Sequence, residues 1–208
     1  MAQFQDNELN VVRQINRLWM PVYPGIAKQV AEYCRTPPMH ILEVGCFSGG
    51  TGLCLLKKFP SIKLTIALEY TELVKTFYTE WDEMLTDIPA HRFTVQFSPL
   101  NALNLPDETF DLVFCRGAFF FFDPDHQFLR EIDRVIRPEG FAFIGGGFGS
   151  HTSSNVIDAI SDESRRLNYE LGKKLMSKRS LQSALIDIGV DKRAEIVDKG
   201  GLWVVIRK

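Results

Sequence analysis

The chain has 208 residues, the size of one ordinary domain, and its 45% apolar and 24% charged residues are the balance of a folded protein, not a disordered one. A net charge of -2 excludes a global attraction to nucleic acid or to an anionic membrane surface. Apolar runs stay shorter than the roughly 18 to 20 residues that cross a bilayer, and the polar, acidic opening MAQFQDNELN is unlike a signal or transit peptide, so a cytoplasmic protein is expected.

Leu9, Val12, Ile15 and Trp19 share one face of a predicted helix over 7–19. Pro21 and Pro24 break the pattern, and Ile26, Val30, Tyr33 and Cys34 resume it, so two helices are expected to cap the core from residues 1–38. Strands are predicted at 40–44, 63–69, 92–97, 110–115 and 141–144, with helices at 50–58, 71–85 and 127–135 between them. The third of these helices is closed by Arg137-Pro138-Glu139-Gly140. Helices near 155–171 and 181–188 follow, the second capped by Gly189, and a hairpin is expected around Lys199-Gly200-Gly201. Short apolar runs alternating with helical patterns predict an α/β fold: a doubly wound, mostly parallel sheet in three layers, ending in an antiparallel strand. No linker divides the chain, so residues 1–208 are read as one domain with its core over 39–208.

Cys34, Cys46, Cys54 and Cys115 form no CxxC pair and are expected to be buried thiols. His40, His91, His126 and His151 show no metal-binding spacing, and no metal site is expected. The basic residues between 165 and 179 are interleaved with acids and read as a solvated helical face.

The stretch ILEVGCFSGGTGLCLL, residues 41–56, carries most of the chemistry. A strand ends there in a glycine-rich turn that opens a helix, the place where open α/β sheets bind ligands. The dinucleotide pattern GxGxxG fails, because Phe47 stands where the middle glycine must admit a pyrophosphate, and no lysine follows to make a P-loop. The frame acid-x-G-x-G-x-G is met by Glu43, Gly45 and Gly49, with Phe47 alone out of place. ALEY at 67–70, LNLPDETFDLVFCRGAF at 103–119 and FLREIDRVIRPEGFAFI at 128–144 follow in matching order and spacing. On these segments the chain resembles the class I S-adenosylmethionine-dependent methyltransferases, of the small-molecule type.

That resemblance implies a Rossmann-like, seven-stranded sheet and S-adenosylmethionine as cofactor. It implies that Glu69 accepts from the ribose hydroxyls, that Tyr70 lies against the adenine or ribose, and that Asn101 and Ala102 meet the adenine edge. Glu43 would orient the methionine amino group, with Gly45, Cys46, Phe47, Ser48 and Gly49 beneath the methionine portion. Phe47 is expected to be accommodated, packed on the cofactor or folded under the amino-terminal helices. Arg116 would meet cofactor or acceptor, or pair with Asp123 or Asp125. Tyr23, Phe119 and His151 are the acceptor-side candidates, His151 as a base, with two of the phenylalanines at 119–122 expected in the core.

Arg116-Gly117-Ala118-Phe119 is unlike the [DN]-P-P-[YFW] of enzymes that methylate nucleobase amino groups, and Phe114-Cys115 is unlike the Pro-Cys of carbon-5 pyrimidine enzymes. A small, partly apolar acceptor is therefore expected, with no nucleic-acid or membrane partner, on a monomer or homodimer. No catalytic base is assigned, since methyl transfer from a sulfonium depends chiefly on orientation and exclusion of water.

Overall fold

The computed structural model describes residues 5–208; the first four residues of the polar opening, and with them the start of the expected cap, lie outside them. Seven strands form one sheet: β1 (His40–Val44), β2 (Lys63–Leu68), β3 (Phe93–Phe97), β4 (Phe110–Arg116), β5 (Ile136–Gly146), β6 (Ala194–Val197) and β7 (Leu202–Arg207). Their order is β3-β2-β1-β4-β5-β7-β6. The first five run parallel and β7 runs antiparallel to both its neighbours. Every residue of β4 is buried, and β1 and β2 are buried but for their first residues, which is why HILEV, KLTIAL and FDLVFCR read as mostly apolar runs: helices cover both faces. The chain steps outward from β1 to β3 and then returns to lay β4 beside β1, so a crevice opens beyond the carboxyl ends of β1 and β4.

Helices α1 (Asp6–Leu18) and α2 (Tyr23–Glu32) precede the sheet. Gln5 and Glu8 close the first turn of α1 reciprocally, and Leu9, Val12 and Ile15 are buried along its inner face. Helix α2 begins at Tyr23, earlier than the proline spacing suggested, because Pro24 in a first turn lacks only an N–H that would have no helical partner there. The remaining helices are α3 (Gly50–Lys58), α4 (Thr71–Glu80), α5 (Asp82–Leu85), α6 (Gln127–Val135), α7 (Ser154–Glu170) and α8 (Lys178–Asp187). Among the described residues, no helix is long and apolar enough to cross a membrane.

Three elements differ from the sequence reading. The single helix expected over 71–85 divides at Trp81, at φ -114°, whose indole packs against Gly49. Strand β5 incorporates the expected turn Arg137-Pro138-Glu139-Gly140: pairing jumps from Phe110↔Ile136 to Leu112↔Phe141, with Glu139 at φ 68° inside the bulge. Cys46 and Cys115 are buried, but Cys34, just beyond the end of α2, and Cys54, within α3, are only partly so.

Candidate functional site

Glu43 is fully buried in β1, and its Oε2 accepts from the Gly52 N–H in the first turn of α3 at 2.8 Å. A Cβ on Gly52 would stand 2.5 Å from that oxygen, so the glycine lets the carboxyl lie on the helix end. Glu43 Oε1 has no partner, and burial raises its pKa to about 7 against the backbone N–H groups that pull it down. The turn from Gly45 to Ser48 is closed by Ser48 N–H donating to Gly45 O at 3.1 Å, and Asn16 Nδ2 donates to Cys46 O at 3.3 Å from α1.

Each glycine of the turn admits an aromatic ring. A Cβ on Gly45, at φ 107°, would meet Phe121 at 2.7 Å; on Gly49 it would meet Trp81 at 2.6 Å; on Gly50, Tyr23 at 2.2 Å. Phe47 is 2% exposed and does not have a positive φ. Its ring leans away from the turn onto Phe120 and Phe121, with centroids at 5.4 and 6.5 Å, and against Gly117, where a Cβ would stand 2.6 Å from the ring. Gly117 itself has φ 70°, so a glycine at 117 meets both demands.

Glu69 directly follows β2. Its Oε1 is buried with no partner, and burial raises the pKa of the carboxyl to about 8 against the hydrogen bond that the Tyr70 side chain makes to it. The carboxyl is close enough to the turn that its charge contributes to raising the thiols of Cys46 and Cys115. The next strand end is tied in by Ser98 N–H donating to Leu68 O, and the following turn leaves Asn101 and Ala102 exposed.

Arg116 ends β4, is 5% exposed, and lies under three rings: Trp19 at 4.5 Å, Phe47 at 4.9 Å and Tyr23 at 5.4 Å. Its Nη2 donates to Asn16 Oδ1 (2.8 Å), Tyr23 Oη (3.2 Å) and Phe47 O (3.3 Å), while Nε is buried without an acceptor. The pairing expected with Asp123 or Asp125 does not form: Asp123 instead accepts from the Gln127 and Phe128 N–H groups at the start of α6. Tyr23 is fully buried, its hydroxyl donating to Asn16 O at 3.1 Å, and desolvation pushes its phenol well above the ordinary range.

Beyond Arg116 a cleft of about 430 Å³ opens between the ends of β4 and β5 and helix α7, with Phe119, Phe120 and Phe148 among its walls. Three phenylalanines, Phe120, Phe121 and Phe122, are buried where two were expected, because the short 3-10 turn at Ala118–Phe120 folds the segment back on itself; Phe119 remains at the cleft. His151 is outside the cleft lining and bonds Glu32 at 2.6 Å.

Residues 42–144 match the sequence model of the methyltransferase domain family. In fold, the chain is similar along its whole length to a Methanococcus maripaludis protein assigned as an S-adenosylmethionine-dependent methyltransferase (TM-score 0.81, 23% identity, 97% of that chain covered). It is also similar to an S-adenosylmethionine-dependent methyltransferase from Aquifex aeolicus (TM-score 0.59, 18% identity, 98% of this chain and 97% of that one). A third likeness is to geranyl diphosphate C-methyltransferase from Streptomyces coelicolor A3(2), a complex holding S-adenosylhomocysteine (TM-score 0.59, 13% identity, 86% and 76%). Residues 42–144 form a methyltransferase domain, on a fold shared with S-adenosylmethionine-dependent methyltransferases. S-adenosylmethionine is the cofactor that goes with this domain.

In this methyltransferase domain the structure gathers Glu43, the turn from Gly45 to Gly49, Glu69 and Arg116 around the ends of β1, β2 and β4, and leaves His151 apart. Sequence reasoning missed Asn16, Trp19, Trp81, Phe121 and Phe148. Asn16 could have been found, as a polar residue four positions after Val12 and three before Trp19 on the apolar side of α1. Trp81 could not, since only the break after α4 brings it to Gly49.

Proposed function

We propose that the chain transfers the methyl group of S-adenosylmethionine to a small-molecule acceptor. The observation that carries this is Glu69: an unpartnered, buried carboxyl oxygen at the end of β2, beside the glycine turn, suits a pair of ribose hydroxyls, which would supply the hydrogen bonds it lacks. When bound, the cofactor supplies an electrophilic methyl on a sulfonium. Tyr70 would lie along the adenosine, and Asn101 with the Ala102 backbone would meet the adenine edge. The turn of Gly45, Cys46, Phe47, Ser48 and Gly49 would carry the methionine portion, with Glu43 as the nearby acid. Phe119 and the aromatic cleft would orient the acceptor and exclude water, so that positioning supplies the rate. His151, engaged by Glu32, is a weaker candidate for the base than its sequence position suggested.

A second reading, a methyltransferase-like protein that binds without catalysing, is favoured by the rings of Phe121 and Trp81 lying on Gly45 and Gly49. Titration with S-adenosylhomocysteine tests the cofactor site: binding is expected, and Glu69→Ala should weaken it by the roughly 1.5 to 3 kcal/mol of hydrogen bonds to a charged group. An unchanged dissociation constant would remove Glu69 from the site. Methyl transfer from labelled S-adenosylmethionine into a pool of small metabolites separates the two readings.

A further inference from the structure

We infer that the acceptor carries an anionic group, a carboxylate or phosphate, and that Arg116 receives it at the floor of the aromatic cleft. The inference rests on the methyltransferase reading only in calling the occupant an acceptor; the anion site itself stands on Arg116.

A guanidinium that is 5% exposed ordinarily has a counter-ion, because an unpaired buried charge is expensive. Among the described residues, none of the ion pairs includes Arg116. Its three acceptors, Asn16 Oδ1, Tyr23 Oη and Phe47 O, are neutral and all sit on Nη2, while the buried Nε has none. Trp19, Tyr23 and Phe47 hold the planar group in place with their faces, which fixes its direction without neutralising it. A fixed guanidinium with an unused edge matches the two oxygens of a carboxylate or phosphate.

The cleft around it has the same sign. Arg165, Lys173 and Lys174 line its rim, and no aspartate or glutamate among the described residues is in the lining. Asp162 engages Arg165 at 2.9 Å and Lys174 Nζ donates to Phe122 O; the buried Glu43 carboxyl is near enough for the Arg116 charge to favour its ionised form, yet no hydrogen-bonded ion pair joins the two, and Arg116 keeps its unused edge. The walls are apolar, with Phe119, Phe120 and Phe148 suited to a ring or short hydrocarbon body. Glu69, Tyr70 and Asn101 do not line this cleft, which separates it from the positions assigned to adenosine, while Phe47 in its wall makes it adjoin the turn assigned to the methionine portion. The acceptor is thus a small amphipathic anion, its body on the phenylalanines and its acid on Arg116.

The test uses the full chain and two probes of one shape, 2-naphthoate and neutral 2-naphthamide, titrated calorimetrically at neutral pH with and without S-adenosylhomocysteine. The acid is expected to bind at least about tenfold more tightly than the amide. Arg116→Gln should abolish that preference while S-adenosylhomocysteine binding stays within about twofold of the parent. Equal binding of acid and amide overturns the proposal. A preference that survives in Arg116→Gln assigns the anion to the rim and overturns the role of Arg116. Loss of S-adenosylhomocysteine binding in that variant gives Arg116 to the cofactor site, through the cofactor's own carboxylate or the turn it holds at Phe47 O, and overturns it equally. Should Arg116→Gln fail to fold, Arg116→Lys retains charge without the planar fork; the acid should then bind several-fold more weakly yet still better than the amide, and unchanged acid binding overturns the assignment. If S-adenosylhomocysteine fails to bind the parent while the acid keeps its Arg116-dependent preference, the cofactor reading falls and the anion site stands.

Discussion

Phe47 and Gly117 form a pair whose coupling is measurable. The ring of Phe47 is 2% exposed among Phe120, Phe121 and the Arg116 guanidinium, so Phe47→Ala should destabilise the fold by about 3 to 5 kcal/mol. Gly117→Ala meets two obstacles. Its φ of 70° is a left-handed conformation, which costs about 1 to 2 kcal/mol in an L-residue. Its new Cβ would stand 2.6 Å from Phe47 Cδ2 and 2.8 Å from Cε2, adding an overpacking strain of about 1 to 3 kcal/mol. In the double variant the ring is gone and only the backbone cost remains, so the two changes should fall short of additivity by about 1 to 3 kcal/mol. Urea unfolding followed by tryptophan fluorescence gives all four stabilities. Additivity within about 0.5 kcal/mol would refute the idea that the glycine at 117 makes room for the phenylalanine at 47. Position 47 does not use positive φ, so Phe47→Gly would relieve no backbone strain and would remove a packed ring.

The pH dependence of cofactor binding follows from Glu69, whose carboxyl is held protonated up to about 8 by burial, whereas the ribose hydroxyls donate best to the ionised form. S-adenosylhomocysteine affinity should therefore fall as pH drops below 8, approaching tenfold per unit, and a flat profile from pH 6 to 9, or one unchanged in Glu69→Gln, would contradict it. Gly52→Ala should lower stability by about 1 to 3 kcal/mol in urea unfolding, because its Cβ would meet Glu43 Oε2 at 2.5 Å and both Leu64 methyls at 2.9 Å. Asn101→Asp should bind S-adenosylhomocysteine at least as well as the parent by calorimetry, since a carboxylate accepts more strongly from an adenine amino group than an amide does; a weaker complex would take residue 101 off the adenine edge.

The order of strands and helices was legible because each central strand is buried on both faces and so had to be a mostly apolar run between amphipathic helices, a pattern local enough to see in one dimension. Glu43, the glycine turn and Glu69 were legible for the same reason, since each sits at a strand end whose position follows from that pattern. Other features depend on which distant residues arrive. Phe47 was ambiguous until Gly117, seventy positions on, was seen to receive its ring. Arg116 had acids a few residues away as its obvious partners, yet the fold turns Asp123 toward the start of α6 and brings Asn16, Trp19 and Tyr23 from the amino-terminal helices instead. Sequence alone determined the order of the scaffold, because hydrophobic period and turn chemistry act between neighbours, and the family was indicated by the resemblance of the segments at 41–56, 67–70, 103–119 and 128–144. Only the tertiary structure decided that a buried guanidinium would be left without a directly paired carboxylate, because burial and charge balance are set by contacts a hundred residues apart.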